Sequence, residues 1–199
     1  KAKEGEPGFK RKAIPKTNRE VITPDSSMKV GTTFKIVELS ELLQGEGEFQ
    51  NRKDRQTSQQ AIDKIRERAV LFDPAQVIEP ARTSDSGPPI VLPSGVIISG
   101  YGRVLTIKEL YENPEYEKQR DTYLETLFAK YKKPGLANPF PGIKQPVLVQ
   151  QLNVSKFGKE DAAQEKKIIK FVKASNIQKA DAMSASEKAA NDVKGTKKI

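Results

Sequence analysis

An apolar run that breaks on two glycines and an arginine, then turns helical, constrains this chain more than any other feature. The stretch is PPIVLPSGVIISGYGRVLTIKEL, residues 88–110. Ile90-Val91-Leu92 and Val96-Ile97-Ile98 flank Pro93-Ser94-Gly95 and read as a β-hairpin. Ser99-Gly100-Tyr101-Gly102-Arg103 follows, and Val104, Leu105, Ile107 and Leu110 repeat at helical spacing. Strand, glycine turn and helix form a layout suited to phosphate. Glycine lets the backbone approach closely and take positive φ. The first N–H groups of a helix point outward with partial positive charge, and an arginine adds a two-pronged donor. The bland reading stands beside it, because such turns also use glycine for steric reasons alone.

What the chain lacks narrows its chemistry. It has no cysteine and no histidine, which removes disulfides, thiol nucleophiles, cysteine-type zinc sites, Ser-His-Asp machinery and imidazole acid–base work. Catalysis would fall to carboxylates, lysine, tyrosine or a carboxylate-bound Mg²⁺. No apolar run has the length of a membrane span, and no signal-peptide core is present. A chain that opens on Lys1 is expected to be a processed product or a piece of a longer protein.

Charge sits unevenly. Residues 1–20 hold seven Lys/Arg against three Glu, a net of +4; residues 166–199 hold nine Lys against three acids, a net of +6. The remaining 19 basic and 20 acidic residues leave −1, within a whole-chain charge of +9. Basic ends on a neutral body favour a polyanion through counterion release; a solvated, solubilising tail is the equal alternative.

Read in order, residues 1–33 are expected to be an extended basic arm. Residues 34–39 alternate as a first strand, and a short helical turn follows at residues 40–43. Residues 44–56 form a polar loop carrying Arg52, Lys53 and Arg55. Thr57 or Ser58 caps a helix with apolar face Ala61, Ile62, Ile65 and Ala69, stopped by Asp73-Pro74. Val77-Ile78 is a short strand or turn, and residues 83–89 form a loop. The helix of the glycine turn ends near Asn113-Pro114, and a second runs to Tyr131. Residues 146–152 are a strand, residues 159–172 a helix, and Ser184-Ala185-Ser186-Glu187 a capping box. These elements predict an α+β class, a small mixed sheet with flanking helices, with a core at 34–153 and a helical basic tail at 154–199.

The order of features resembles the ParB/sulfiredoxin-like superfamily, and within it the DdrB-like ParB domains of phage and plasmid proteins. Three segments carry the likeness. Residues 49–55, FQNRKDR, are similar to the family's early arginine box. Pro89-Ile90-Val91 through Ser99-Gly100-Tyr101-Gly102-Arg103 to Thr106 is similar to a P-I-x-V strand followed by a G-E-R-R or G-N-G-R turn. Pro146-Val147-Leu148-Val149, with Asn176 and Met183-Ser184 to Asp192, is similar to the late strand and helices of the DdrB-like group. The resemblance implies a small module that binds nucleotide or nucleic-acid phosphate at the turn. In ParB proteins proper that pocket holds CTP with Mg²⁺, and some relatives are described as nucleases. Carried over by position, Gly100, Gly102 and Arg103 form a phosphate cradle with Tyr101 beside it, and Arg52 and Arg55 reach it from the early loop.

Departures from the family pattern bear on chemistry. Tyr101 stands where ParB proteins have an acid, Gly102 where they have the first arginine, and Thr106 where they have a small apolar residue. No helix-turn-helix follows the core. Asp85 is then the one carboxylate nominated for a metal. Arg103 also has a structural reading as a partner for a helix-end carboxylate, and Tyr101 as a ring covering the core edge rather than stacking on a base. Tyr111, Tyr116, Tyr123 and Tyr131 read as helix packing. The expected function is phosphate binding without efficient catalysis, in a DNA-associated protein of a mobile element, located in the host cytoplasm or a virion. The alternatives are an inactive structural or packaged virion component, partnered by other virion proteins, and a ParB-like nuclease.

Overall fold

A computed structural model describes residues 12–46, 49, 58–131, 140–158 and 162–175. Strand pairing starts earlier than the alternation at 34–39 predicts. β1 (Lys12–Ile22) and β2 (Lys29–Glu38) form an antiparallel pair, so both lie partly or wholly in the expected arm. Their connection is held by Asp25, whose carboxylate accepts from Thr23 Oγ1 (2.6 Å), Ser27 Oγ (2.7 Å) and Ser27 N–H (3.0 Å). Asp and Ser close turns in this way by bonding backbone two residues on. After β2 come a 3₁₀ turn (Leu39–Glu41) and β3 (Leu43–Gln44).

The helix α1 (Gln59–Val70) starts where predicted, with Ser58 as cap: its Oγ accepts from the Ala61 N–H at 3.3 Å. Val77 and Ile78 correct the expected strand or turn. They lie in the single-turn helix α2 (Ala75–Ile78), opened by Asp73 accepting from the Ala75 N–H at 2.9 Å. The hairpin is β4 (Ile90–Val91) and β5 (Val96–Ser99), followed by α3 (Tyr101–Glu112) and, after a 3₁₀ turn (Pro114–Tyr116), α4 (Glu117–Tyr131). β6 (Pro146–Leu152) and α5 (Ala162–Ser175) complete the described residues.

The six strands lie in the order β1-β2-β6-β4-β5-β3. β6, last in sequence, is inserted between β2 (antiparallel) and β4 (parallel), while the edge strand β3 runs parallel to β5. Successive strand residues therefore feed two separate cores, as the period of two requires. Val91 and Ile97 face a cluster with Ala69 of α1, Val104, Ile107 and Leu110 of α3, and Tyr123 and Leu127 of α4. Ile90 and Ile98 face the opposite cluster, closed by Ile168, Phe171 and Val172 of α5. The four tyrosines of α3, α4 and their joint pack as expected. Tyr111 and Tyr123 both donate to the Pro146 carbonyl, at 2.8 and 3.2 Å, which satisfies both lone pairs of that oxygen at the start of β6. Burial pushes the Tyr111 and Tyr123 phenols up, and that of Tyr131 up to about 12. No described helix is long and apolar enough to cross a membrane.

Candidate functional site

β5 delivers the chain to the glycine turn. Gly100 has left-handed backbone (φ 85°, ψ 21°) and is the N-cap of α3. Its carbonyl accepts the first helical bonds, from Arg103 N–H at 2.9 Å and Val104 N–H at 3.1 Å. Glycine has no side chain with which to cap, and the first turn of α3 contains no acid. The N–H groups of Tyr101 and Gly102 therefore open the helix with no intrahelical acceptor, as helix geometry dictates. Gly102 and Arg103 lie inside the first helical turn rather than before it.

The Arg103 side chain folds back over its own cap. A Cβ on Gly100 would stand 2.6 Å from Nε and 2.7 Å from Cζ of Arg103, so a side chain there would push the guanidinium aside, and the left-handed φ favours glycine in its own right. Nη1 donates to the Gly87 carbonyl and Nη2 to the Ser84 carbonyl at 3.2 Å. A structural role for this arginine thus stands beside the phosphate one. Its partners include main-chain carbonyls of the loop before the hairpin.

That loop is tied down from several sides. Ser99 Oγ, at the end of β5, donates to the same Ser84 carbonyl at 2.7 Å. Ile22 at the end of β1 donates to Arg82 O (3.0 Å) and accepts from Ser84 N–H (3.0 Å). Gln150 of β6, fully buried, accepts from Thr32 Oγ1 (3.1 Å) and donates through Nε2 to Pro88 O (3.2 Å). Gly87 has φ 71°, and a Cβ there would meet Ala81 Cβ at 2.8 Å. Ser84, Gly87, Ser99 and Gln150 were not singled out from sequence. Nothing in a Thr-Ser-Asp-Ser-Gly run distinguishes a loop clamped by a distant arginine from a solvated one.

Tyr101 turns away from the helix start. Its hydroxyl donates to Gln44 Oε1 of β3 at 3.0 Å, its ring packs against the first core, and burial raises its pKa. This contact joins the turn to the point where the early loop departs. Arg52 and Arg55 lie outside the described residues, but their loop leaves from Gln44 and returns at Ser58, and α1 then packs on α3. Thr106 is buried and donates to the Gly102 carbonyl at 2.9 Å, so its hydroxyl is spent within the helix. Asp85 is exposed, one residue from the carbonyl that Arg103 holds. Among the described residues no group of three or more Asp or Glu is gathered as a metal site would gather them.

The start of α3 combines N–H groups that lack an intrahelical acceptor, a guanidinium folded over the cap and a first turn without acids. Such a set can hold an anion. A nucleotide's phosphates fit these donors. A Mg²⁺ accompanying them would need few protein ligands, since this ion commonly keeps its waters and one or two carboxylates. A family model described as the ddrB-like ParB superfamily domain matches residues 25–153, more than half of the chain. No curated protein and no solved structure matches it.

Proposed function

The chain belongs to the ddrB-like ParB superfamily, and from that premise we propose that it binds the phosphates of a nucleotide or nucleic acid at the α3 turn, without efficient catalysis. The observation that carries the reading is the glycine-capped start of α3, with no side-chain cap, no acid in its first turn and a guanidinium lying over the cap. The Gly100, Tyr101 and Gly102 backbone and the Arg103 side chain are the ligands we propose, with Arg52 and Arg55 adding charge from the early loop. Asp85 is the carboxylate we nominate for a Mg²⁺ brought by a nucleotide such as CTP. Tyr101 in the family's acid position, and the lack of histidine and cysteine, support binding over hydrolysis or strand cleavage. The mobile-element setting, in host cytoplasm or virion, belongs to the same proposal.

The test is titration of the full chain with CTP, ATP and short duplex DNA, with and without Mg²⁺, following heat and turnover together. Arg103→Ala should weaken binding by about 1–3 kcal/mol, the usual cost of a lost charge-assisted contact. Arg103→Lys separates the roles: it retains the charge but not the planar fork that reaches two carbonyls. A wild-type chain that binds no nucleotide and no DNA, or that turns nucleotide over repeatedly, refutes the proposal.

A further inference from the structure

Gln150 is unlike the strand that carries it. β6 lies inside the sheet, and its residues Val147, Leu148, Val149 and Leu152 are fully buried and apolar, yet Gln150 buries an amide among them with no exposed surface. Burying an amide is costly unless it is hydrogen-bonded, so its partners indicate its role. Oε1 accepts from Thr32 Oγ1 of β2 at 3.1 Å, and Nε2 donates to the Pro88 carbonyl at 3.2 Å. The Gln150 main-chain N–H donates to the Pro89 carbonyl at 2.7 Å. One residue of β6 therefore holds two successive proline carbonyls. Each proline ring fixes φ, so a position set at Pro88 passes stiffly to Gly87, whose carbonyl accepts from Arg103 Nη1. The other acceptor, the Ser84 carbonyl, is fixed from β5 by Ser99 Oγ at 2.7 Å, and the Ser84 N–H donates to Ile22 O of β1 at 3.0 Å. Both carbonyls that the guanidinium holds are thus located by the sheet, one of them through Gln150.

We infer that Gln150 is a positioning residue for the α3 turn: through Pro88 and Gly87 it sets the plane in which the Arg103 guanidinium lies. The inference rests on reading that turn as a phosphate site and names what aligns its cation. A guanidinium recognises an anion through a rigid planar fork, so its value depends on orientation as well as charge. Slack at Gly87 lets the plane turn and the fork lose its register with the helix N–H groups. A methionine at position 150 would fill the same length of core without holding Pro88. Gln150, with no exposed surface, acts only through this chain of contacts.

The experiment is NMR of the isotope-labelled full chain beside calorimetric titration with CTP and Mg²⁺. Arg103→Lys assigns the Arg103 Nε–Hε signal by deleting it. The test variants are Gln150→Met and the double variant Thr32→Val/Gln150→Met. The double variant guards against misfolding, because replacing both partners of a buried bond by apolar groups of similar shape is close to neutral. Leu127→Ala, which empties a fully buried site on α4, is the control for destabilisation alone. Circular dichroism and denaturant midpoints establish that each protein is folded. Both Gln150 variants should speed exchange of the Arg103 Hε with water and raise the Kd for CTP roughly tenfold, the effect of losing about one bond from a charged donor. Leu127→Ala should leave both at wild-type values. Unchanged exchange in the folded Gln150 variants, faster exchange with unchanged CTP affinity, or an equal change in Leu127→Ala overturns the inference. The exchange measurement needs no ligand: if wild type binds no CTP while Gln150→Met loosens Arg103, the phosphate reading fails and the positioning of the arginine stands.

Discussion

Replacing Gly100 with alanine imposes two penalties at one atom. Left-handed backbone costs an L-residue about 1–2 kcal/mol. The new methyl would also displace the Arg103 guanidinium from the carbonyls of Ser84 and Gly87. Gly100→Ala is therefore expected to destabilise by roughly 2–4 kcal/mol, given that bonds from charged donors each contribute about 1.5–3 kcal/mol, read as a lower denaturant midpoint at constant slope. Asp25 provides a second residue-scale test. Hydrogen bonds from Thr23 first, and then from Ser27, hold its carboxyl below the usual aspartate range. A depressed folded pKa stabilises the protein above the unfolded value, and that contribution is lost as pH falls through the folded value. Asp25→Asn should flatten the acid limb of the stability profile below about pH 4, measured by denaturant titrations at stepped pH.

Among elements, α5 is the one whose weight differs most from its outward composition. A lysine-rich segment looked like tail, yet Phe171 is fully buried beneath it. Phe171→Ala should cost about 3–5 kcal/mol, the range for emptying an aromatic site in a core; a shift below 1 kcal/mol in chemical denaturation would show that α5 does not belong to the packed body. Leu71, 72% exposed just past α1, should tolerate serine within about 0.5 kcal/mol. What sequence could reveal follows the same physics. The hairpin, the strand at 146–152 and the helices α1, α3 and α4 were legible because dense apolar runs or helical spacing mark them. β1 was not legible: in its last five residues Asn18, Arg19 and Glu20 face solvent and only Val21 is fully buried, so no period-two signal arises. β2 was found only from Phe34 because Thr32, buried, is a polar core residue satisfied by Gln150 across the sheet. At the site, the glycine turn was visible as a motif. The clamp formed by Arg103 was invisible, because its acceptors are main-chain carbonyls that carry no residue code.

At the scale of the molecule, the charge map changes once strands and helices are drawn on it. Residues 1–11 hold four basic and two acidic residues, and residues 176–199 five and three, a net of +2 each. The interval 12–175 keeps 26 basic and 21 acidic residues, a net of +5 out of +9. Trimming to that interval leaves β1 and α5 whole, whereas removing 1–20 and 166–199 cuts through both. A chain of residues 12–175 should therefore retain most of the salt dependence of duplex binding, checked by anisotropy beside a melting curve. If the slope collapses, the ends carry the contacts.

The position of β6 also sets a timetable. Its seven residues pair with β2 from Thr32–Leu152 to Glu38–Pro146, and its other edge takes β4. On the ribosome, β2 has been made more than a hundred residues before its partner exists, a wait on the order of 5–20 s at ordinary elongation rates. Through that interval the sheet lacks the strand that joins the β1–β2 hairpin to the β4–β5–β3 set, and each part keeps an open edge. Nascent chains arrested before residue 146 should thus be digested readily by protease. Those arrested far enough past 152 for β6 to clear the exit tunnel should resist. Elongation through one short strand is then the step that lets the two parts of the sheet join.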